Sequence, residues 1–147
     1  MHILVTRPES EAPRTKRKLE AMGHRVTVAP VLEIVTETPA IETSGVQALV
    51  LTSRNAVHAL DAHPQKSALL ALPVLAVGKS TAAAARDAGF DVILEGDAGG
   101  AELGALIARH IDRQAGTLLQ ISGEAIAFDL AEALSPAGFD VRRVIVY

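Results

Sequence analysis

Short runs of β-branched and apolar residues alternate with alanine-rich runs along the chain, and this alternation restricts the fold more than any other feature. Strands that alternate with helices form a parallel sheet, because each helix carries the chain back across the sheet. Several strand segments are almost entirely apolar, as expected when helices cover both faces. The predicted strands are His2–Thr6, Arg25–Ala29, Ala48–Thr52, Pro73–Val77, Asp91–Leu94, Thr117–Ile121 and Val141–Val146. The predicted helices are Glu11–Met22, Asn55–Ala62, Ser80–Ala88, Ala101–Ile111 and Glu124–Leu134.

A glycine recurs between a predicted helix and the strand after it, in the stretches AMGHRV, DAGFDV and PAGFDV. These glycines are Gly23, Gly89 and Gly138. The residue that follows a helix commonly adopts a positive φ, which glycine reaches without a steric penalty. We therefore interpret the three glycines as helix stops and assign them no catalytic role.

The segment PVLEIVTETP (Pro30–Pro39) interrupts the alternation. It is bracketed by prolines, rich in β-branched residues and too long for a tight turn, so it predicts a linker between two lobes. Residues 1–35 would form a β-α-β unit of a first lobe, residues 36–42 the linker, and residues 43–147 a second α/β lobe of five strands and four helices. The first lobe is expected to be incomplete, because two strands and one helix leave a sheet face and an edge uncovered. One continuous seven-stranded sheet is the alternative, and the linker counts against it.

The stretch LAVGKST (Leu75–Thr81) ends like a phosphate-binding P-loop, but its spacing excludes one. A P-loop needs a glycine five residues before the glycine of Gly-Lys-Ser/Thr, and Pro73 stands there. A dinucleotide-binding fingerprint is excluded as well, because the turn after the first strand reads TRPESEAP.

The composition excludes further classes of function. The formal net charge is −3 and aromatic residues make up 3% of the chain, so nothing indicates the basic patch or the stacking platform of a nucleic-acid-binding protein. The chain has no cysteine, hence no disulfide and no thiolate chemistry. No apolar run reaches the ~18 residues of a membrane span, and no signal-peptide pattern opens the sequence. We expect a soluble, cytoplasmic protein.

The residues that follow the predicted strands are the candidate ligand-binding residues, since ligands of open α/β sheets bind at the carboxyl ends of the strands. They are rich in hydroxyls, glycines and cations, and no His, Asp or Glu cluster has the spacing of a metal site. Helix N-termini at this edge would also point free N–H groups at a ligand. Such a cleft suits an anionic ligand bound without a metal or a redox cofactor. The candidates are Arg7, Thr52, Ser53, Asn55, Gly78, Lys79, Ser80, Thr81, Ser122, Gly123 and Tyr147.

Most of these candidates have a purely structural alternative. Arg7 and Lys79 could be solvated surface charges. Hydroxyl residues that precede a helix are commonly its N-cap. That alternative applies to Thr52, Ser53, Ser80 and Thr81.

Four stretches, taken in order, resemble the uroporphyrinogen-III synthase family. They are ILVTRP (Ile3–Pro8) with the helix and AMGHRVTVAPVLEI after it, LVLTSRNAVHAL (Leu49–Leu60), LPVLAVGKSTAAAARDAGFDV (Leu72–Val92), and the stretch from LLQISGEA to VIVY (Leu118–Tyr147). The similarity runs over the whole chain, and the ordered set is more specific than any one stretch.

The resemblance implies two flavodoxin-like or Rossmann-like α/β lobes that are joined by a two-stranded linker and hold the substrate between them. It implies a hydro-lyase of haem and tetrapyrrole biosynthesis that needs no cofactor. Such an enzyme closes linear hydroxymethylbilane into uroporphyrinogen III, with loss of water and inversion of ring D. The substrate carries eight carboxylates, which fits the anionic ligand inferred above. Tyr147 matches the tyrosine that helps the hydroxyl group leave, and we expect Arg7 and Lys79 to bind carboxylates.

Two departures from the family pattern stand out. Ser122 and Ala127 occupy positions where many members carry arginines, which weakens the case for carboxylate binding at that turn. Family members also continue past the strand that ends at Tyr147, so the chain resembles their N-terminal part. We therefore expect either a fragment or a protein whose first lobe is completed by a second copy. A non-catalytic α/β module that binds an anionic tetrapyrrole or another acid is the alternative function.

Overall fold

A computed structural model of the chain describes residues 1–97 and 99–147. These residues form two compact units, Met1–Val35 and Thr36–Tyr147. Residues 31–43 contain no helix or strand. Within the described ranges, no helix combines the length and the apolarity needed to cross a membrane.

The first unit is a single β-α-β motif. Strand β1 (His2–Val5) pairs in parallel with β2 (Arg25–Val28), and helix α1 (Ala12–Ala21) connects them. A proline in its first turn favours the start of α1, because proline lacks the N–H that would remain unpaired there. The buried core of this unit consists of Val5, Ala12 and Val26. Leu4 remains 61% exposed, so β1 buries only one face within the unit.

The second unit is a five-stranded parallel sheet with the strand order β5-β4-β3-β6-β7. Its strands are β3 (Val46–Leu51), β4 (Val74–Val77), β5 (Val92–Gly96), β6 (Thr117–Ser122) and β7 (Val141–Ile145). Its helices are α2 (Arg54–Asp61), α3 (Lys66–Leu69), α4 (Gly78–Asp87), α5 (Gly100–His110) and α6 (Leu130–Leu134), followed by a 3₁₀ turn at Ser135–Ala137. The predicted parallel α/β architecture is confirmed.

The central strands bury both of their faces, in two separate cores. Leu119 and Ile121 of β6 pack in the core that also contains α2, α3 and α4, whereas Leu118 packs in the core that contains α5 and α6. Successive side chains of a strand point to opposite faces, so Gln120 and Ser122 lie on the α5/α6 side together with Leu118. Both polar side chains line a cavity on this side of the sheet.

The C-terminal helix is shorter than the sequence predicts. The predicted helix Glu124–Leu134 begins only at Leu130, because the Asp129 carboxylate accepts a hydrogen bond from the Glu132 N–H and caps the first turn there. Residues 124–129 form a loop instead. The short helix α3 is an additional element that the sequence did not predict.

The segment assigned to a linker, residues 36–42, belongs to the second unit. Ile41 is 3% exposed and packs in the α2/α4 core, while the Gln65 side chain bonds both the N–H and the C=O of Ile41.

The predicted helix stops are confirmed, since Gly23, Gly89 and Gly138 have φ of +83°, +96° and +80°.

We expect amide hydrogen exchange to differ strongly between the two units at low micromolar concentration. A two-stranded sheet with three buried side chains opens readily, whereas β3, β4 and β6 are covered on both faces. Exchange in β1 and β2 should be faster by a factor of at least about ten. Equal protection of both units, unchanged on dilution, would contradict this expectation.

Candidate functional site

A cavity of about 380 Å³ opens at the carboxyl edge of the five-stranded sheet. It lies where the strand order reverses, between β3 and β6, because the crossovers that leave these strands run over opposite faces of the sheet. Ligands of open α/β sheets bind at such switch points. The lining residues are Thr52, Ser53, Val77, Gly99, Gly100, Leu103, Gln120, Ser122, Gly123, Ala125, Ile126, Ala127, Phe128, Leu130 and Tyr147.

A hydrogen-bonded pair of hydroxyls stands in the wall of this cavity. The Ser53 Oγ lies 2.7 Å from the Tyr147 phenol oxygen, and the same Oγ accepts a hydrogen bond of 3.1 Å from the Ala56 N–H. Ser53 is therefore the N-cap of α2 and also a partner of the tyrosine. The alternative that the sequence left open for Ser53 describes only half of its role.

The main chain holds Tyr147 in place. Its carbonyl accepts a 2.9 Å hydrogen bond from the Glu124 N–H, and the Val146 N–H donates to the Ser122 carbonyl at 2.9 Å. The tyrosine ring lies directly over Gly123, where an added Cβ would come within 2.5 Å of the ring Cε2. Only glycine leaves room for this ring position.

On the other side of the cavity, the Phe128 ring packs against a second glycine, Gly100. A Cβ at Gly100 would come within 2.6 Å of the Phe128 ring, so the first turn of α5 and the 124–129 loop contact each other closely. Phe128, Leu103 and Leu130 form an apolar wall beside the hydroxyl groups.

Arg143 of β7 fixes the turn that follows β6. Its Nε donates to the Ser122 Oγ at 2.8 Å, and its Nη2 donates to the carbonyls of Gly123 and Glu124. These hydrogen bonds tie β7 to the turn that contains Ser122 and Gly123.

Gln120 has the one buried side-chain nitrogen or oxygen without a hydrogen-bond partner among the described residues. The residue is 2% exposed, lines the cavity, and leaves its Nε2 unpaired. An unpaired buried donor costs about 1–3 kcal/mol of stability. Gln120 is not among the predicted site residues, because its position in the sequence is that of an ordinary residue within a buried strand.

The structure brings together five of the predicted site residues and leaves six outside the cavity. Those in its wall are Thr52, Ser53, Ser122, Gly123 and Tyr147. Those outside its lining are Arg7, Asn55, Gly78, Lys79, Ser80 and Thr81. The turns after β3 and β4 nevertheless share one edge of the sheet, because these strands are adjacent and parallel.

The outlying residues have other surroundings. Thr81 is 6% exposed within α4. Lys79 forms an exposed ion pair with Asp97, its Nζ 3.5 Å from the carboxylate. Arg7 belongs to the first unit, where it forms an ion pair with Glu11.

The described lining consists of hydroxyl, amide, main-chain and apolar groups. Among residues 1–97 and 99–147, no group of three or more His, Cys, Asp or Glu side chains could hold a metal ion. The arrangement can donate hydrogen bonds to a polar ligand while its apolar wall excludes water from one side.

Comparisons with known proteins agree on one family. Residues 13–147 match the family model described as uroporphyrinogen-III synthase HemD. The search of curated proteins found no significant match. Several solved structures are similar in fold.

Two of these structures give the extent of the likeness. The uroporphyrinogen-III synthetase of Helicobacter pylori 26695 is 22% identical with a TM-score of 0.60, over 82% of this chain and 56% of that one. A mutant uroporphyrinogen III synthase of the extremely thermophilic bacterium Thermus thermophilus is 19% identical with a TM-score of 0.59, over 99% of this chain and 61% of that one. The chain thus spans less than two thirds of the length of either structure.

We expect Gly123→Ala to displace the Tyr147 ring and break its hydrogen bond to Ser53, because the new Cβ would overlap the ring. Tyr147 is the only tyrosine and the chain has no tryptophan, so the near-ultraviolet tyrosine band reports this ring alone. The matched control is Gly104→Ala in α5, whose Cβ would stand at an ordinary 3.6 Å from Leu130. An unchanged tyrosine band in Gly123→Ala would contradict the described packing.

Proposed function

Since the chain belongs to the uroporphyrinogen-III synthase family, we propose that it is the lyase that closes hydroxymethylbilane into uroporphyrinogen III. The reaction releases water and inverts the last pyrrole ring. It involves no net oxidation or reduction, so the proposal invokes no cofactor. We place this activity in the cytoplasm, as a step of haem and tetrapyrrole biosynthesis.

The observation that carries the proposal is the hydroxyl pair at the switch-point cavity. The Ser53 Oγ already accepts a hydrogen bond from the Ala56 N–H, so its own proton can point at the Tyr147 oxygen. The phenol proton is then free to point away from Ser53 towards a bound ligand. Successive hydrogen bonds polarise one another, which strengthens the phenol as a donor.

In the proposed step, Tyr147 assists departure of the substrate hydroxyl. The C–O bond of the hydroxymethyl group breaks, its electron pair stays on the oxygen, and this oxygen takes up a proton and leaves as water. The phenol supplies that proton or a strong hydrogen bond. Ring closure forms one carbon–carbon bond, and inversion of the last ring breaks the bond between this ring and its methylene bridge and re-forms it at another carbon of the same ring. The pyrrole then releases a proton, which restores the phenol.

The remaining predicted residues are proposed to bind the substrate. Arg7 and Lys79 would contact carboxylates at exposed positions, where an ion pair contributes little free energy, so they would affect KM more than kcat. The hydroxyl and main-chain groups would orient the tetrapyrrole. These residues are Thr52, Ser53, Asn55, Gly78, Ser80, Thr81, Ser122 and Gly123.

A second candidate function is a non-catalytic module that binds an anionic tetrapyrrole. It is favoured by the described lining of the cavity, which offers hydroxyl, amide and apolar groups for binding and contains no acidic side chain. We also propose that two copies of the chain associate through the first unit, whose Leu4 and Met22 are 61% and 70% exposed.

Product analysis separates enzyme from binding module. The full chain is incubated with hydroxymethylbilane, and the cyclised isomers are oxidised and separated by chromatography. An enzyme yields the inverted isomer III, whereas a binding module leaves only the non-inverted isomer at the rate of the protein-free control. In the second outcome, retained binding of the tetrapyrrole would identify the module.

We expect Tyr147→Phe to slow formation of isomer III by about 10²- to 10⁴-fold, because one positioned proton donor contributes about that much. The product should still be isomer III, since the substrate itself is prone to ionise. Thermal unfolding serves as the control for an intact fold. Wild-type turnover in this variant would remove Tyr147 from the mechanism.

A further inference from the structure

The Nε2 of the buried Gln120 amide forms no hydrogen bond with any described residue. Its strand neighbours in register are Val50 on β3 and Arg143 on β7. Arg143 donates its hydrogen bonds to Ser122, Gly123 and Glu124, and the Gln120 Nε2 has no partner. A leucine of similar volume would suit this largely apolar face, so folding alone does not explain an amide at this position.

The cavity beside Gln120 has a second feature that favours a negative charge. Gly99 and Gly100 line it at the N-terminus of the 11-residue helix α5. The N–H groups of a first helical turn have no partners within the helix, and the helix dipole adds partial positive charge there. Gly99 has open space where a side chain would stand, whereas the Phe128 ring packs against Gly100.

The charged groups around the cavity also favour a negatively charged ligand. The described lining contains no acidic side chain, and the Arg143 guanidinium bonds two of the lining residues, Ser122 and Gly123. The acidic residue of the first turn of α5, Glu102, accepts a hydrogen bond from the Asp97 N–H outside the lining. An anion in the cavity would therefore meet donors and no lining carboxylate.

The volume of the cavity limits the size of the ligand that it can hold. About 380 Å³ is near the lower end of the ligand pockets of proteins, which span about 300–1,000 Å³. It can hold only part of a large tetrapyrrole, such as one pyrrole ring with its arms. The apolar wall of Leu103, Phe128 and Leu130 suits the ring and the methylene groups, and the polar side suits a carboxylate.

We propose that Gln120 is a specificity-determining residue that binds a carboxylate arm of the ligand through its side-chain N–H₂. The N-terminus of α5 is the second donor to the same carboxylate. The identity of the ligand as a tetrapyrrole rests on the proposed function, whereas the carboxylate preference of the cavity rests on the groups that line it.

Two substitutions of Gln120 test this role in the full chain. Gln120→Leu removes the unpaired donor, so the melting temperature should rise while the affinity for uroporphyrinogen III falls about ten- to a hundredfold, the effect of one hydrogen bond to a charged group. Gln120→Glu keeps the size but places a carboxylate against a carboxylate, and it should weaken binding further.

Gln47 provides the matched control. Its side-chain Nε2 donates to the carbonyls of Asp112 and Gly116, so Gln47→Leu breaks two hydrogen bonds that hold the fold. That variant should melt at a lower temperature and bind the tetrapyrrole with unchanged affinity. A Gln120→Leu variant that behaves like Gln47→Leu, less stable and equally tight, would overturn the proposal.

Side-chain amide resonances distinguish failure of this inference from failure of the proposed function. The Gln120 N–H₂ signal is identified by its loss in Gln120→Leu and followed during titration with uroporphyrinogen III and, separately, with propionate. A saturable shift with both ligands supports the carboxylate site. A shift with propionate alone keeps the site and removes the tetrapyrrole as its ligand. Tetrapyrrole binding that leaves this signal unmoved, or no shift with either ligand, overturns the inference.

Discussion

The reversal of strand order at β3 is the constraint on which the site depends. Crossovers between parallel strands are right-handed, so strands added on the two sides of β3 bring their helices to opposite faces of the sheet. The chain builds β4 and β5 outward on one side and then returns to build β6 and β7 on the other. No helix can cover the edge between β3 and β6, and the cavity opens there. Burial of β3 and β6 on both faces keeps that edge rigid enough to position individual hydroxyls.

Hydrogen bonds to main-chain groups tie the walls of the cavity together. The Tyr147 carbonyl bonds Glu124, the Ser122 carbonyl bonds Val146, and Arg143 bonds two further carbonyls of the same turn. The C-terminal end of the chain and the turn after β6 are thereby tied into one assembly. Gly123 and Gly100 then let aromatic rings approach the main chain from two sides. The hydroxyl pair and the unpaired amide line the same cavity as these rings.

The fold could be predicted from sequence largely because its signals are local. Apolar runs gave all seven strands to within two residues at each end, and three glycines gave the helix stops. The C-terminal helix was placed too early, because the alanine-rich stretch outweighed the cap at Asp129. For the site, the rule that ligands bind just after the strand ends identified residues such as Ser53 and Tyr147. The roles of these residues remain predictions. The same rule could not indicate Gln120 or Phe128, because their contacts depend on register between strands and on a loop approaching a helix.

The positive charge of Arg143 would affect the rate at which an anionic ligand reaches the cavity. Within the described part of the chain, its guanidinium donates to a hydroxyl and to carbonyls, and no carboxylate pairs with it. Carbonyl groups orient the guanidinium without cancelling its charge, so the turn beside the cavity carries a fixed positive charge. The protein as a whole is acidic, with a formal net charge of −3, and would otherwise repel a polyanion at long range. A local positive field of this kind guides anions over roughly one Debye length, about 8 Å at physiological salt. Under the proposed function, capture of a polycarboxylate should therefore slow as ionic strength rises, even though no described lining side chain is charged.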